Sequence, residues 1–141
     1  MLFDGEKVIF ATTDPAFALS MSYGSGDVLA ASYALNKNTC KKEFFLDELK
    51  PNSLKLLENP ASLYVVDSKN FQHDSRLLPE ELISKKEINI IEEIIIKNVF
   101  KKIKGMGANI IAYGMVLDSM KNRGKDPGKS NKRYKADRFK K

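Results

Sequence analysis

The stretch EINIIEEIIIKN, Glu87 to Asn98, places six isoleucines among twelve residues and decides how the rest of the chain is read. Isoleucine is branched at Cβ, which restricts it against the preceding turn of a helix and suits it to a pleated surface, so the stretch predicts a strand. Its even positions, Ile88, Ile90, Glu92, Ile94 and Ile96, form the more apolar face, and a carboxylate interrupts that face. In a regular strand Glu92 then carries a local bulge, meets a buried partner or points into a cleft. Glu93 takes its place if the register slips by one. The nearest apolar run, LYVVD from Leu63 to Asp67, also reads as a strand. With both segments central in a sheet, Ile90, Ile94 and Ile96 are expected to be buried beside Val65.

Working outward, Asn98 is placed to cap a short helix over Val99 to Met106, stopped by Gly107 and followed by a strand at Asn109 to Tyr113. Near the start, Val8, Ile9 and Phe10 suggest a strand over Lys7 to Ala11. Asp14 followed by Pro15 is a helix-start signal: the carboxylate accepts from free amides, and proline fits the first helical position. That helix is expected from Pro15 to Tyr23, with Phe17, Ala18 and Met21 on one face and Gly24 and Gly26 ending it. Val28 to Leu35 fits a strand or a second short helix, and Lys42 to Leu46 a short strand. Pro51 and Pro60 punctuate a polar connection, and turn residues dominate from Asp67 through Leu78. Strands and short helices without a regular strand–helix–strand rhythm predict a compact α+β domain with a bent mixed or antiparallel sheet.

The length of 141 residues suits one domain. No apolar run approaches the roughly 18 residues that span a bilayer, and Met1 to Gly5 lack the stages of a signal peptide, so a cytoplasmic protein without membrane contact is expected. With one cysteine, Cys40, and one histidine, His73, the chain cannot form an internal disulfide or assemble a zinc site from Cys and His ligands. No metal is expected. The formal net charge is +6, and Ser119 to Lys141 holds ten of the 24 basic residues against two acidic ones, a balance of +8. Residues 1–118 therefore carry fourteen bases and sixteen acids, or −2. That division predicts a folded domain over 1–118 and a basic tail over 119–141, disordered when free because it has little apolar area to bury. Lys129, Lys132, Arg133, Lys135 and Arg138 suit phosphate backbones, and Tyr134 suits stacking on bases, with Phe139 as a second aromatic.

Several motifs admit a chemical reading. GKDPGKS, Gly124 to Ser130, approximates a phosphate-cradling loop but is one residue short between its glycines and lacks the flanking strand and apolar helix. Gly24 and Gly26 make an incomplete dinucleotide fingerprint. His73 lies in the polar turn FQHDSR, where a solvated loop histidine is the commoner outcome, and Cys40 beside Lys41 and Lys42 has no base partner. Thr12 and Thr13 precede a helix start whose free amides favour an anion, although Asp14 competes for those donors.

The segment KVIFATTDPAFALSMSY, a strand, a polar turn and a helix closing near Tyr23, resembles the second conserved element of the ADP-ribosyltransferase-like superfamily, which includes poly(ADP-ribose) polymerases and RNA 2′-phosphotransferases. LYVVD followed by a loop and ISKKEINIIEEIIIKNVF is similar to small proteins of that fold, and the resemblance covers about residues 6 to 113. It implies a split, strongly bent sheet whose cleft holds NAD as cofactor. It also implies Glu92 as the carboxylate that orients a ribose, Tyr23 as an approximate match to the family's tyrosine, and Thr12 and Thr13 beside the cofactor. No residue of the chain fills the family's first-strand His or Arg position. The function expected is a nucleotide- or nucleic-acid-directed protein, a small or degenerate relative of this family. The alternative is a noncatalytic interaction protein, such as a phage or mobile-element accessory, with a protein partner for its acidic domain and nucleic acid for its basic tail. The residues leave open whether the domain is an enzyme.

Overall fold

The computed structural model describes residues 2–3, 5–23 and 27–124, with backbone only at 2–3. The chain folds as an α+β domain in which strands β1 (Leu2–Phe3), β2 (Glu6–Lys7) and β3 (Ile9–Thr12) lead into helix α1 (Pro15–Ser20). Strands β4 (Leu29–Asn36) and β5 (Lys41–Glu48) follow, then a 3₁₀ turn (Ser53–Glu58) and strands β6 (Ala61–Val66), β7 (Glu81–Ser84) and β8 (Ile90–Ile96). Helix α2 (Val99–Gly105), strand β9 (Asn109–Ile111), a second 3₁₀ turn (Tyr113–Met115) and helix α3 (Val116–Asn122) complete it. Among the described residues, four small sheets stand where one bent sheet was expected: β1 with β2, β3 with β7, β4-β5-β9, and β6 with β8.

The three-stranded sheet is the centre. Its long hairpin pairs β4 with β5 antiparallel from Leu29↔Glu48 to Asn36↔Lys41, which resolves the segment Val28 to Leu35 in favour of strand, displaced by one residue. Asn36 makes the turn: its Oδ1 accepts from the amides of Asn38 and Thr39, and Cys40 takes a left-handed φ of 57°. β9 then adds to β5 in parallel, reached through α2. On the inner face Leu29, Ala31, Phe44 and Leu46 are buried against Phe17 and Leu19 of α1, Leu57, and Val99 and Ile103 of α2. Phe17 stacks on Tyr33 with centroids 6.1 Å apart and planes 5° from parallel, while Phe44 tilts against both.

Both helix starts follow their capping signals. Asp14 Oδ1 accepts from the Ala16 amide at 3.0 Å, and Asn98 Oδ1 from the Lys101 amide at 3.0 Å. α1 ends earlier than expected, at Ser20, because the Met21 amide turns back to the carbonyls of Ala18 and Leu19. Its buried residues are Ala16, Phe17, Leu19 and Ser20 rather than the Phe17, Ala18 and Met21 stripe. Gly24 and Gly26 lie outside the described residues. β7, absent from the sequence reading, is a four-residue strand that pairs with β3 from Ile9↔Ser84 to Thr12↔Glu81.

Two further expectations are corrected. β8 is a strand, but it is not central: it pairs with β6 alone, and only the root of this ribbon meets the core, where Ile96 is buried and Ala61 and Leu63 pack. Ile90 is 59% exposed, and Ile94 and Val65 are both over a third exposed. The boundary at 118/119 falls inside α3. Val116 and Met120 are buried, and Arg123 forms a buried ion pair, giving the start of the basic segment an anchor that its composition conceals. Counting through Gly124 gives sixteen bases and sixteen acids, so the chain up to its last described residue is neutral rather than −2, and residues 125–141 carry the entire +6. Among the described residues, no helix is long and apolar enough to cross a membrane.

Candidate functional site

The turn before α1 is closed by its own side chains. Thr12 Oγ1 accepts from the Asp14 amide at 3.0 Å, and while Asp14 Oδ1 caps the helix, its Oδ2 accepts from the Tyr33 hydroxyl at 2.7 Å. The amide that an anion would need is thus engaged by Asp14, the competition foreseen from the sequence. Thr13 is exposed beside it.

Beyond Asp14 lies a cleft of about 240 Å³ between the start of α1, the β4–β5 hairpin and the residues after α2. Tyr33, Phe44, Ala16 and Met106 supply apolar wall, and Asp14, Lys42 and Glu43 supply charge. Lys42 Nζ donates to Glu80 Oε2 at 2.6 Å and stands 5.1 Å from the centroid of the Tyr33 ring. Glu80 Oε1 is buried without a hydrogen-bond partner. Burial, then the hydrogen bond to Asp14 and the charges of Asp14, Glu80 and Glu81, push the Tyr33 phenol far above its ordinary range. Tyr33 therefore stays protonated and acts as a donor rather than as a base. The sequence singles out neither Tyr33 nor Glu80, and Lys42 only as a neighbour of Cys40; with Val28 to Leu35 open between strand and helix, no pattern brings the three together.

Tyr23 and Glu92 stand elsewhere. Tyr23, in the loop after α1, donates its hydroxyl to the Pro60 carbonyl and so ties that loop to the entry of β6. Glu92 is exposed on β8 opposite Val65. Of the three alternatives for its place, the bulge is present: the register shifts between Val65 and Val66, next to Glu92. Neighbouring Glu93 accepts a hydrogen bond from Ser62 across the ribbon. Glu92, Tyr23, Thr12 and Thr13 do not line the cleft; of the Thr12 to Asp14 turn, only Asp14 does. His73 and Cys40 are exposed. Among the described residues, no group of three or more His, Cys, Asp or Glu side chains is placed to hold a metal ion. Lys129, Lys132, Arg133, Tyr134, Lys135 and Arg138 lie outside the described residues.

The other feature is the β6–β8 ribbon. Alternation puts Ala61, Leu63 and Val65 on the side of the core with Ile96, Ile94 and Glu92, and turns Ser62 and Tyr64 outward with Ile95 and Glu93. Ile91 and Ile95 are 68% and 71% exposed, and Tyr64 is more than half exposed. Single exposed apolar residues are ordinary, whereas here several lie together on a ribbon of two strands.

No family model matches the chain, and no curated protein or solved structure is similar enough to match it.

Proposed function

We propose that the chain is a noncatalytic nucleic-acid-binding interaction protein, in which an α+β body carries a basic C-terminal arm that engages phosphate backbones. The observation that carries this reading is the partition of charge: eight bases and two acids fall in residues 125–141, and the body through Gly124 is neutral. A cationic segment of that density releases counterions from a polyanion whatever its sequence, with Tyr134 and Phe139 available to stack on bases. The body supplies a fixed root, since Arg123 is bonded into the central sheet one residue before Gly124. The catalytic reading, an ADP-ribosyltransferase-like enzyme using NAD, asks for Glu92, Tyr23 and the Thr12 to Asp14 turn around one cleft. Their separation across the ribbon, the loop after α1 and the α1 start supports the noncatalytic alternative instead.

The test is the salt dependence of binding to a labelled single-stranded oligonucleotide. Changing Lys132, Arg133, Lys135 and Arg138 to Gln in the full chain removes four cations, and the slope of log K against log salt should flatten by roughly 3. An unchanged slope overturns the reading.

A further inference from the structure

We infer that the β6–β8 ribbon is an intramolecular docking surface for the basic segment Lys132–Lys141, so that this segment is held by the body or by nucleic acid but not by both. The inference rests on the proposed role of that segment and adds its regulation.

The ribbon exposes Tyr64, Val65, Ile90, Ile91, Ile94 and Ile95, while two strands alone make a marginal structure in water. Its charge selects the occupant. Ala61–Asp67 and Glu87–Lys97 together carry Asp67, Glu87, Glu92 and Glu93 against Lys97, a balance of −3. Nucleic acid is repelled from such a surface, and a cationic segment that carries a few aromatic residues is attracted. A second copy of the ribbon fits poorly, because antiparallel pairing of β8 with itself sets Glu92 and Glu93 against their own counterparts.

Within the chain, Lys132–Lys141 has the matching chemistry: six cations and one acid, with Tyr134 and Phe139 to cover the isoleucines. Geometry permits the contact. The 17 residues after Gly124 extend up to roughly 58 Å, whereas a domain of this length has a radius of gyration of about 14 Å. Docking covers Tyr64 and Ile95 on the outward face, with exposed Ile91 beside them, and places cations next to Glu93 on that same face. Nucleic acid competes for the same lysines and arginines, so its binding uncovers the ribbon.

The experiment uses the full chain with isoleucine methyl groups labelled for NMR. Tyr134→Ser with Phe139→Ser should shift the Ile91 and Ile95 methyl signals, and adding a single-stranded oligonucleotide to the unaltered chain should move them in the same direction. Ile91→Ser with Ile95→Ser, both at exposed positions and neutral in charge, should tighten oligonucleotide binding by about fivefold, as for an arm that had been free in about one molecule in five. Unmoved methyl signals together with unchanged affinity, in a chain that still binds the oligonucleotide, overturn the docking and leave the nucleic-acid reading standing. Failure of the unaltered chain to bind any oligonucleotide overturns that reading, and the methyl shift on Tyr134→Ser with Phe139→Ser then decides docking by itself. Signals that move with protein concentration alongside a doubled sedimenting mass overturn docking in favour of a second copy.

Discussion

Arg123 reaches back 76 positions to Asp47, placing its Nη2 2.9 Å and 3.0 Å from the two carboxylate oxygens in the interior. The side chains are 5% and 1% exposed. The guanidinium also donates to Ser32 Oγ and to the Ser119 carbonyl, and it lies 4.2 Å from the centroid of Phe45. Ser32, Phe45 and Asp47 share the outer face of the β4–β5 hairpin, so the residue that closes α3 fixes the chain's last described turn to the central sheet.

Removing one partner takes the bidentate counter-charge away from a buried ion. Arg123→Ala or Asp47→Ala should therefore cost about 3–5 kcal/mol, whereas Asp47→Leu combined with Arg123→Met should recover most of that loss. Urea unfolding of the three variants measures it, and single changes as small as those of surface residues would show that the pair holds nothing.

Glu48 makes a comparable link through the backbone. Its Oε2 accepts from the Leu54 amide and its Oε1 from the Tyr113 amide, both at 2.9 Å, so one buried carboxylate joins the two 3₁₀ turns to the end of β5. Glutamine keeps the shape but turns an NH₂ toward one of those amides. Glu48→Gln should cost about 2 kcal/mol and speed hydrogen exchange at Leu54 or Tyr113. Exchange unchanged at both would remove the carboxylate from this role.

The Tyr33 phenol gives a dependence on alkaline pH. Its proton is held more tightly in the folded protein than in the unfolded chain, by burial first and then by its bond to Asp14 and the nearby carboxylates. Above a pH of about 10 the unfolded chain loses this proton while the folded one keeps it, so the contribution is complete below that pH and declines as pH rises through it. Tyr33→Phe should lower stability at neutral pH by about 1–2 kcal/mol through loss of the bond to Asp14, yet reduce the fall in stability above pH 10. Parallel curves for the two proteins from pH 7 to 11 would contradict this.

The caps and strands with strong local chemistry were readable in the sequence. Asp14 before Pro15, and Asn98 before Val99, announced helix starts because each offers a side-chain oxygen to free amides, a property of a few adjacent residues. What could not be read depends on distant residues. β7 contains only ELIS after Pro79 and is a strand because β3 pairs with it. The second half of α3, from Ser119, reads as tail because its few apolar residues give no sign that Asp47 awaits Arg123. The site was less legible than the fold: Tyr33, Lys42 and Glu80 come from separate elements, and nothing in their local sequence joins them.

The isoleucines of β8 separate strand propensity from burial. Their branched side chains favour a strand wherever it lies, so the composition of Glu87 to Asn98 predicts the element and carries no information on which neighbours cover it. In the fold, Ile96 is 7% exposed at the root, Ile94 is partly covered opposite Leu63, and Ile95 faces outward. Ile96→Ala should therefore cost about 2–4 kcal/mol, Ile94→Ala about 1 kcal/mol and Ile95→Ala under about 0.5 kcal/mol. Glu92→Gln, at an exposed position beside the bulge, should also stay within about 0.5 kcal/mol. Thermal unfolding of the four variants checks the gradient. Equal losses at Ile94, Ile95 and Ile96 would mean that the outward face is packed as tightly as the root, more than a weakly docked arm supplies, and a large loss at Glu92 would mean that its carboxylate has a buried partner.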